Sequence, residues 1–452
     1  MHNTNHTENN IIKAHNFNKL ILPDGTLCDT DGRVTRTNNN MIVLGTSGGG
    51  KTRSVVIPNI LAANDSMIIA DPKGSLYKKY RSYLESFGYR VSRLDLIDPE
   101  QSDHYNPLAY VSTSDEIMRL AHMISYSNVD TSAGLGVRSP DPFWDRASEL
   151  MLSALIGYII ESVDIGTMSM NKLNFRELIS IMEKIDASEM EDCGTCELDR
   201  IMEQHSRDYH AKRNEISWAC RQWRKFRQTP EKTFNCILIT TNALLATLDT
   251  KGVQHMMCRD FMDIGSIGEE PTAIFVEMSD TDRSKDLLAN IFFTQAMSEL
   301  CRCADSQPEY RLKRPVRFIL DDFGTTCRID NFDRMISNIR SRNISATIVL
   351  QSLSQLEAGY GESAHTIIDN CDTLIYMGGN DIDTAEYISR RSSRSLKSIL
   401  AMPVGTHWQF RRGQPPKLCD TVDLSEYRFY ESVDKAGLMM LEKMKSAARL
   451  SS

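Results

Sequence analysis

The chain has 452 residues, 41% of them apolar, which is enough to bury a large core and to build two domains. A formal net charge of −8 excludes a molecule that is basic throughout, so any nucleic-acid contact is a local patch or a channel within an assembly. Eleven cysteines without regular spacing exclude a disulfide framework and point to reduced thiols in a cytosolic compartment. Cys193 and Cys196 form a lone C-x-x-C with no second pair at zinc spacing, and they read as ordinary thiols. No apolar run reaches the ~18–20 residues that span a bilayer; the nearest, Met151 to Ile160, reads as a buried helix. The polar N-terminus has no signal-peptide core, so the chain is expected to be soluble and cytoplasmic.

Residues 1–40 are polar and rich in Asn, Thr and Asp, and read as an arm with a small β-element at Phe17 to Leu27. Met41 to Leu44 is a short apolar run that reads as a buried strand. Gly45-Thr46-Ser47-Gly48-Gly49-Gly50-Lys51-Thr52 follows, a full match to the P-loop pattern G-x-x-x-x-G-K-[ST]. Glycines let this backbone curl until several N–H groups face phosphate oxygens, and the next helix, Arg53 to Leu61, adds the positive end of its dipole. Lys51 is placed to reach the β/γ-phosphates and Thr52 to hold Mg²⁺, with Arg53 beside them in the nucleotide-binding set. Pro58 is expected to kink that helix or to end it early.

A second strand, Ser66 to Ala70, ends in Asp71-Pro72-Lys73-Gly74, which reads equally as a ligand-edge motif and as a plain turn. A helix at Leu76 to Phe87 and a strand at Tyr89 to Leu94 continue the alternation, which means a parallel, helix-covered sheet. From about 112 to 248 the periodicity is helical: Asp115 to Ser125, Trp144 to Val163, Phe175 to Ile185, Cys196 to Tyr209 and Ala211 to Phe226. Polar loops are expected at Asn128 to Asp141 and Ala187 to Gly194. Arg221 to Arg227 interleaves aromatic and basic residues. It either tracks a phosphate backbone or, the reading favoured, is an amphipathic helix with buried rings and a solvated basic face.

The α/β rhythm then resumes with strands at Thr272 to Glu277, Val316 to Leu320, Ser345 to Leu350, Thr373 to Met377 and His407 to Arg411. Helices are expected at Ser284 to Cys303, Phe332 to Arg340 and Asp383 to Arg391, and a marginal one beyond Tyr430. A P-loop needs a second acid at the end of a buried strand, expected next to the P-loop strand. Phe318-Ile319-Leu320-Asp321-Asp322 supplies it: Asp321 on the Mg²⁺ side, Asp322 to orient the attacking water. Gln351, directly after the following strand, is placed to sense the γ-phosphate. Arg340 and Arg342, between those two strands, are candidates for an arginine finger delivered to a neighbouring subunit.

These motifs, in this order, resemble the conjugative coupling proteins of type IV secretion systems, the TraG/TraD group of ring-forming ATPases. The resemblance runs from about Asn39 to Asn380 and more faintly to Phe429. It rests on G-T-S-G-G-G-K-T-R, D-P-K-G-S-L, Y-N-P-L, D-P-F-W-D-R-A, F-I-L-D-D-F, I-R-S-R-N-I-S, L-Q-S-L-S-Q-L and N-C-D-T-L-I-Y-M-G-G-N-D. It implies an α/β fold: a RecA-like P-loop NTPase domain with a mostly parallel sheet (41–111 and 249–430), and an inserted all-α domain (112–248) that selects substrate. An arm (1–40) and a tail (431–452) flank them. It further implies ATP and Mg²⁺ as cofactors and Lys51, Asp321, Asp322, Gln351 and Arg340 as catalytic. The implied assembly is a homo-hexamer formed with DNA or ATP. The implied partners are single- or double-stranded DNA, a relaxase or relaxosome, and secretion-channel components at the inner membrane.

Three departures stand out. The family's usual transmembrane helices are missing, so the chain is expected at most peripherally at the cytoplasmic membrane. Asp322 replaces the usual Glu and is one methylene shorter. The segment between Asn380 and the last strand is short. These motivate a rival reading as a nucleotide-binding substrate adaptor with little hydrolysis. A DNA translocase of the FtsK/HerA kind shares the core, but the helical insertion and the D-P-F-W and N-C-D-T stretches argue against it.

Overall fold

The computed structural model describes residues 19–126, 142–185 and 195–427. The rest of the arm, the tail, Cys193 and the loops expected at Asn128 to Asp141 and Ala187 to Gly194 lie outside these residues. Among the described residues there are eleven strands: β1 (Lys19–Ile21), β2 (Leu27–Asp29), β3 (Met41–Leu44), β4 (Ser66–Pro72), β5 (Arg90–Asp95), β6 (Thr272–Met278), β7 (Val316–Leu320), β8 (Ile344–Leu350), β9 (Thr373–Tyr376), β10 (Thr406–Arg411) and β11 (Lys417–Asp420). β1 and β2 form an antiparallel hairpin; the others make one nine-stranded sheet in the order β11-β10-β9-β3-β8-β7-β4-β6-β5. From β9 through β6 neighbours run parallel, while β10 and β11 are antiparallel. This is the mostly parallel α/β sheet expected of the P-loop fold.

The central strands carry no polar alternation because both faces are covered; β3, β7 and β8 are buried at every position. β11 escaped the sequence reading because an exposed edge strand has no burial pattern to betray it.

By compactness the described residues fall into two units, 19–93 with 263–281 and 296–427, and 94–262 with 282–295. In the first, the hairpin is fixed by Asn59, whose side chain bonds both the N–H and the C=O of Ile21 at 2.9 Å. In the second, the long helix Pro142–Asp164 packs against Trp218–Phe226 and Ser114–Ser125. Glu161 on that helix caps Trp218–Phe226, accepting from the Trp218 N–H at 2.8 Å and the Ser217 hydroxyl at 2.6 Å. The single helix expected over Ala211 to Phe226 is broken. Asn214 turns left-handed at φ 55° and ends the helix at Arg213; Ser217 caps the next one. In that next helix Trp223 and Phe226 are buried and the Trp223 indole donates to Asp199 at 2.8 Å. The rings serve the core, and Arg221, Arg224 and Lys225 form an exposed basic face.

Candidate active site

The site lies at the C-terminal edge of the parallel strands, where β3 opens into the P-loop. Gly48 (φ 76°) and Gly50 (φ 88°) hold backbone conformations that side chains rarely adopt, and a β-carbon at Gly49 would lie 3.0 Å from the Thr46 carbonyl. The loop is braced from β9: the Thr46 N–H donates to the Gly378 carbonyl at 3.3 Å, so Gly378-Gly379-Asn380 abuts the P-loop. Thr52 to Val56 then form a wide π-helical turn before the α-helix Ile57–Ala62. Pro58 accounts for this. It has no N–H and crowds the carbonyl four residues back, and the widened turn accommodates both, so the helix continues instead of ending.

Lys51 is folded over its own loop, its Nζ donating to the carbonyls of Gly45 (2.6 Å) and Thr46 (2.9 Å). Burial pulls the Lys51 pKa down, while the charges of Asp322 and Asp321 pull it up. The Thr52 hydroxyl donates to Asp321 Oδ2 at 2.7 Å. This contact joins residues 269 positions apart and closes the P-loop onto the acid strand.

The acid strand is not the neighbour of the P-loop strand as expected: β8 lies between them. In this order Gln351 follows the adjacent strand and Asp321 the next one, and Asp321 still reaches Thr52. Burial pushes the Asp321 carboxyl up to about 6; the Thr52 hydrogen bond and Lys51 oppose the rise and Asp322 adds to it. Hydroxyl and carboxylate oxygens beside an ammonium fit a hard divalent cation bound to a polyphosphate.

Asp322 sits in the left-handed region at φ 52° and its N–H donates to Asp321 Oδ1 at 3.2 Å. Asp and Asn tolerate this conformation better than longer side chains, which bears on the missing Glu. Gln351 is exposed at the end of β8, and its N–H donates to Gln355 Oε1 at 2.9 Å. Arg53 points elsewhere: its guanidinium pairs with Asp423 at 3.0 Å, an exposed contact. Hydrogen bonds from Ser425 and the Arg53 pairing hold the Asp423 pKa down to about 2. The sequence reading missed Asp423, because nothing local marks a partner 370 residues away.

Arg340 is not at this site. It precedes β8, whose seven residues at ~3.3 Å each put roughly 20 Å between its ends. At that far edge Arg340 is exposed and Nη2 donates to the Gly32 carbonyl at 3.2 Å. Arg342 is taken up by Asp305 at 2.8 Å.

Asp71-Pro72-Lys73-Gly74 resolves as a turn. The Asp71 carboxylate accepts from the N–H groups of Leu76 and Tyr77 at 2.8–3.1 Å and caps the helix Ser75–Ser86. Gly74 is left-handed (φ 65°), and a β-carbon there would meet Glu277 Oε2 at 2.0 Å. Glu277 is itself held by Arg93 at 2.6 Å. Cys196 is buried, and no cluster of potential metal-ligating His, Cys, Asp or Glu side chains exists among the described residues. No helix among them is long and apolar enough to cross a membrane.

Comparison with known proteins places the chain in a family and shows where its fold recurs. The family model described as type IV secretory system conjugative DNA transfer matches residues 2–394. Protein VirD4 of Rhizobium rhizogenes is 24% identical over 359 residues, 77% of this chain and 48% of that protein. Conjugal transfer protein TraG of Rhizobium radiobacter is 23% identical over 360 residues, 77% of this chain and 51% of that protein. The chain thus spans about half the length of the curated relatives it matches. The fold is shared with the plasmid coupling protein TrwB. TrwB bound to a non-hydrolysable GTP analogue superposes with a TM-score of 0.61 at 17% identity, covering 90% of each chain. The same protein with ADP and Mg²⁺ gives 0.58 at 18% identity, covering 90% of this chain and 89% of that one.

Proposed function

Because the chain belongs to the family of type IV secretory system conjugative DNA transfer proteins, we propose that it is an ATP-hydrolysing coupling protein. It receives DNA, or a relaxase–DNA complex, and feeds it to a secretion channel at the inner membrane. The observation that carries the hydrolytic part is the 2.7 Å bond from Thr52 to Asp321 beside Lys51, which assembles a phosphate loop and an acid strand into one site.

The residues divide the work as follows. The amides of Gly48 to Lys51 cradle phosphate oxygens, and Lys51 Nζ exchanges the Gly45 and Thr46 carbonyls for them. Thr52 and Asp321 would hold Mg²⁺, which when bound neutralises charge on the β- and γ-phosphoryl oxygens. Asp322 orients the attacking water and takes its proton, and Gln351 faces the γ-phosphate from the end of β8. Arg340, at the opposite edge of the sheet, serves the nucleotide of a neighbouring copy, which makes each site incomplete without an oligomer. The exposed basic face Arg221, Arg224 and Lys225 supplies phosphate contacts without base stacking, since its rings are buried.

Molar mass in solution, measured with and without ATP and single-stranded DNA, tests this reading. Assembly toward a hexamer with nucleotide or DNA is expected; a monomer under every condition contradicts it. Asp322 favours one rival, a nucleotide-binding adaptor with little turnover. Tight binding of a labelled ATP analogue with no hydrolysis, even with DNA present, would select that rival.

A further inference from the structure

We propose that Gln355 is a positioning residue that ties Gln351 to the Asp321–Asp322 turn, so that one side chain sets both. The inference rests on the hydrolytic reading above. Gln355 Oε1 accepts the Gln351 N–H at 2.9 Å, which fixes the backbone from which the Gln351 amide projects. The same side chain lies against Gly324, two residues after Asp322. A β-carbon at Gly324 would stand 2.8 Å from Gln355 Cβ and 3.1 Å from Oε1. The turn therefore closes on Gln355 only because residue 324 is glycine.

The helix Leu353–Tyr360 that carries Gln355 is anchored along its length. At its start the Leu353 N–H donates to the Thr384 hydroxyl at 3.0 Å and the Ser354 hydroxyl to Asp381 at 3.1 Å. At its end the Tyr360 hydroxyl accepts the Ile329 N–H at 2.9 Å, and its ring stacks on Phe323 at 5.8 Å. Asp381 directly follows the Gly378-Gly379-Asn380 loop that braces Thr46. A fixed helix thus presents one amide to the two elements that flank the attacking water. Such support holds catalytic groups to the sub-ångström tolerance that turnover demands.

Gln355→Met keeps the volume and removes the acceptor; Gln355→Glu keeps an acceptor oxygen at the same reach. In the full chain, Gln355→Met is expected to lower kcat for ATP by about 10- to 100-fold while KM stays within about threefold. It is also expected to speed hydrogen–deuterium exchange of the Gln351 amide by about fivefold or more at an unaltered melting midpoint. Gln355→Glu retains the slow exchange. Gly324→Ala, which pushes on Gln355 from the other side, reproduces the kcat loss. An unchanged Gln351 exchange rate in Gln355→Met, or an unchanged kcat in an active protein, overturns the proposal. If the wild-type chain hydrolyses nothing, the hydrolytic reading fails separately, and exchange of residues 321–324 decides the coupling. Protection of that segment by a non-hydrolysable ATP analogue that persists in Gln355→Met overturns it; protection that is lost supports it.

Discussion

Asp321 is a buried carboxylate whose ionisation the folded protein resists, and replacing it should stabilise the nucleotide-free chain while disabling it. Its pKa rises from 3.8 to about 6, chiefly through burial. Well below pH 3.8 the group is neutral both folded and unfolded and costs nothing. Between about 4 and 6 the folded state holds the proton longer, so stability falls as pH rises; above 6 the full penalty, about 3 kcal/mol, is in place. Asp321→Asn cannot ionise and still offers an oxygen to the Thr52 hydroxyl. At pH 8 without nucleotide it should raise the stability of the sheet-bearing unit by about 1–3 kcal/mol, and the gap should shrink toward zero as pH falls well below 3.8. The assay is urea unfolding at several pH values, with and without Mg²⁺ and ADP. In the variant the extra stability conferred by Mg²⁺ and ADP together should be lost. A variant less stable than wild type at pH 8, or a gap independent of pH, refutes the reasoning.

Asp322→Asn should keep the fold within about 0.5 kcal/mol, since Asn accepts the left-handed backbone, yet lower kcat by about 10²–10⁴-fold with nucleotide affinity retained; steady-state kinetics and analogue binding check both. If Arg340 acts as proposed on a neighbour's nucleotide, Arg340→Ala and Lys51→Ala should each be inactive alone but regain part of the activity when mixed, since each variant would supply the part the other lacks; hydrolysis by the mixture against each variant reads this out. Gly74→Ala should destabilise by about 2–4 kcal/mol by driving a methyl into Glu277 at a left-handed position, measured by the urea midpoint.

The parts of the candidate site that sequence exposes are those with local chemistry. The glycine spacing of the P-loop, the paired acids after Leu320 and the glutamine after Leu350 each sit at the end of an apolar run, and runs of that kind become the buried parallel strands. Strand order is different in nature. Nothing local says that β8 lies between β3 and β7, because sheet order is decided by crossovers between distant segments. The Asp423 partner of Arg53 and the Gln355 contact with Gly324 are hidden for the same reason. Asp71 shows a motif with two readings settled only by geometry: the carboxylate spends its oxygens on helix amides. The turn at Thr52–Val56 shows the converse: Pro58 signals a kink or an early end, and the form it takes here is a widened turn.

The central claim is that Lys51, Thr52, Asp321 and Asp322 form one hydrolytic site that serves DNA transfer. The most direct test is the steady-state rate of Mg²⁺-dependent ATP hydrolysis by the pure chain, with and without single-stranded DNA, in wild type and Lys51→Ala. A rate that rises with DNA and disappears in Lys51→Ala is predicted. A rate that is the same in both proteins contradicts the site, and a rate indifferent to DNA contradicts its coupling to transfer.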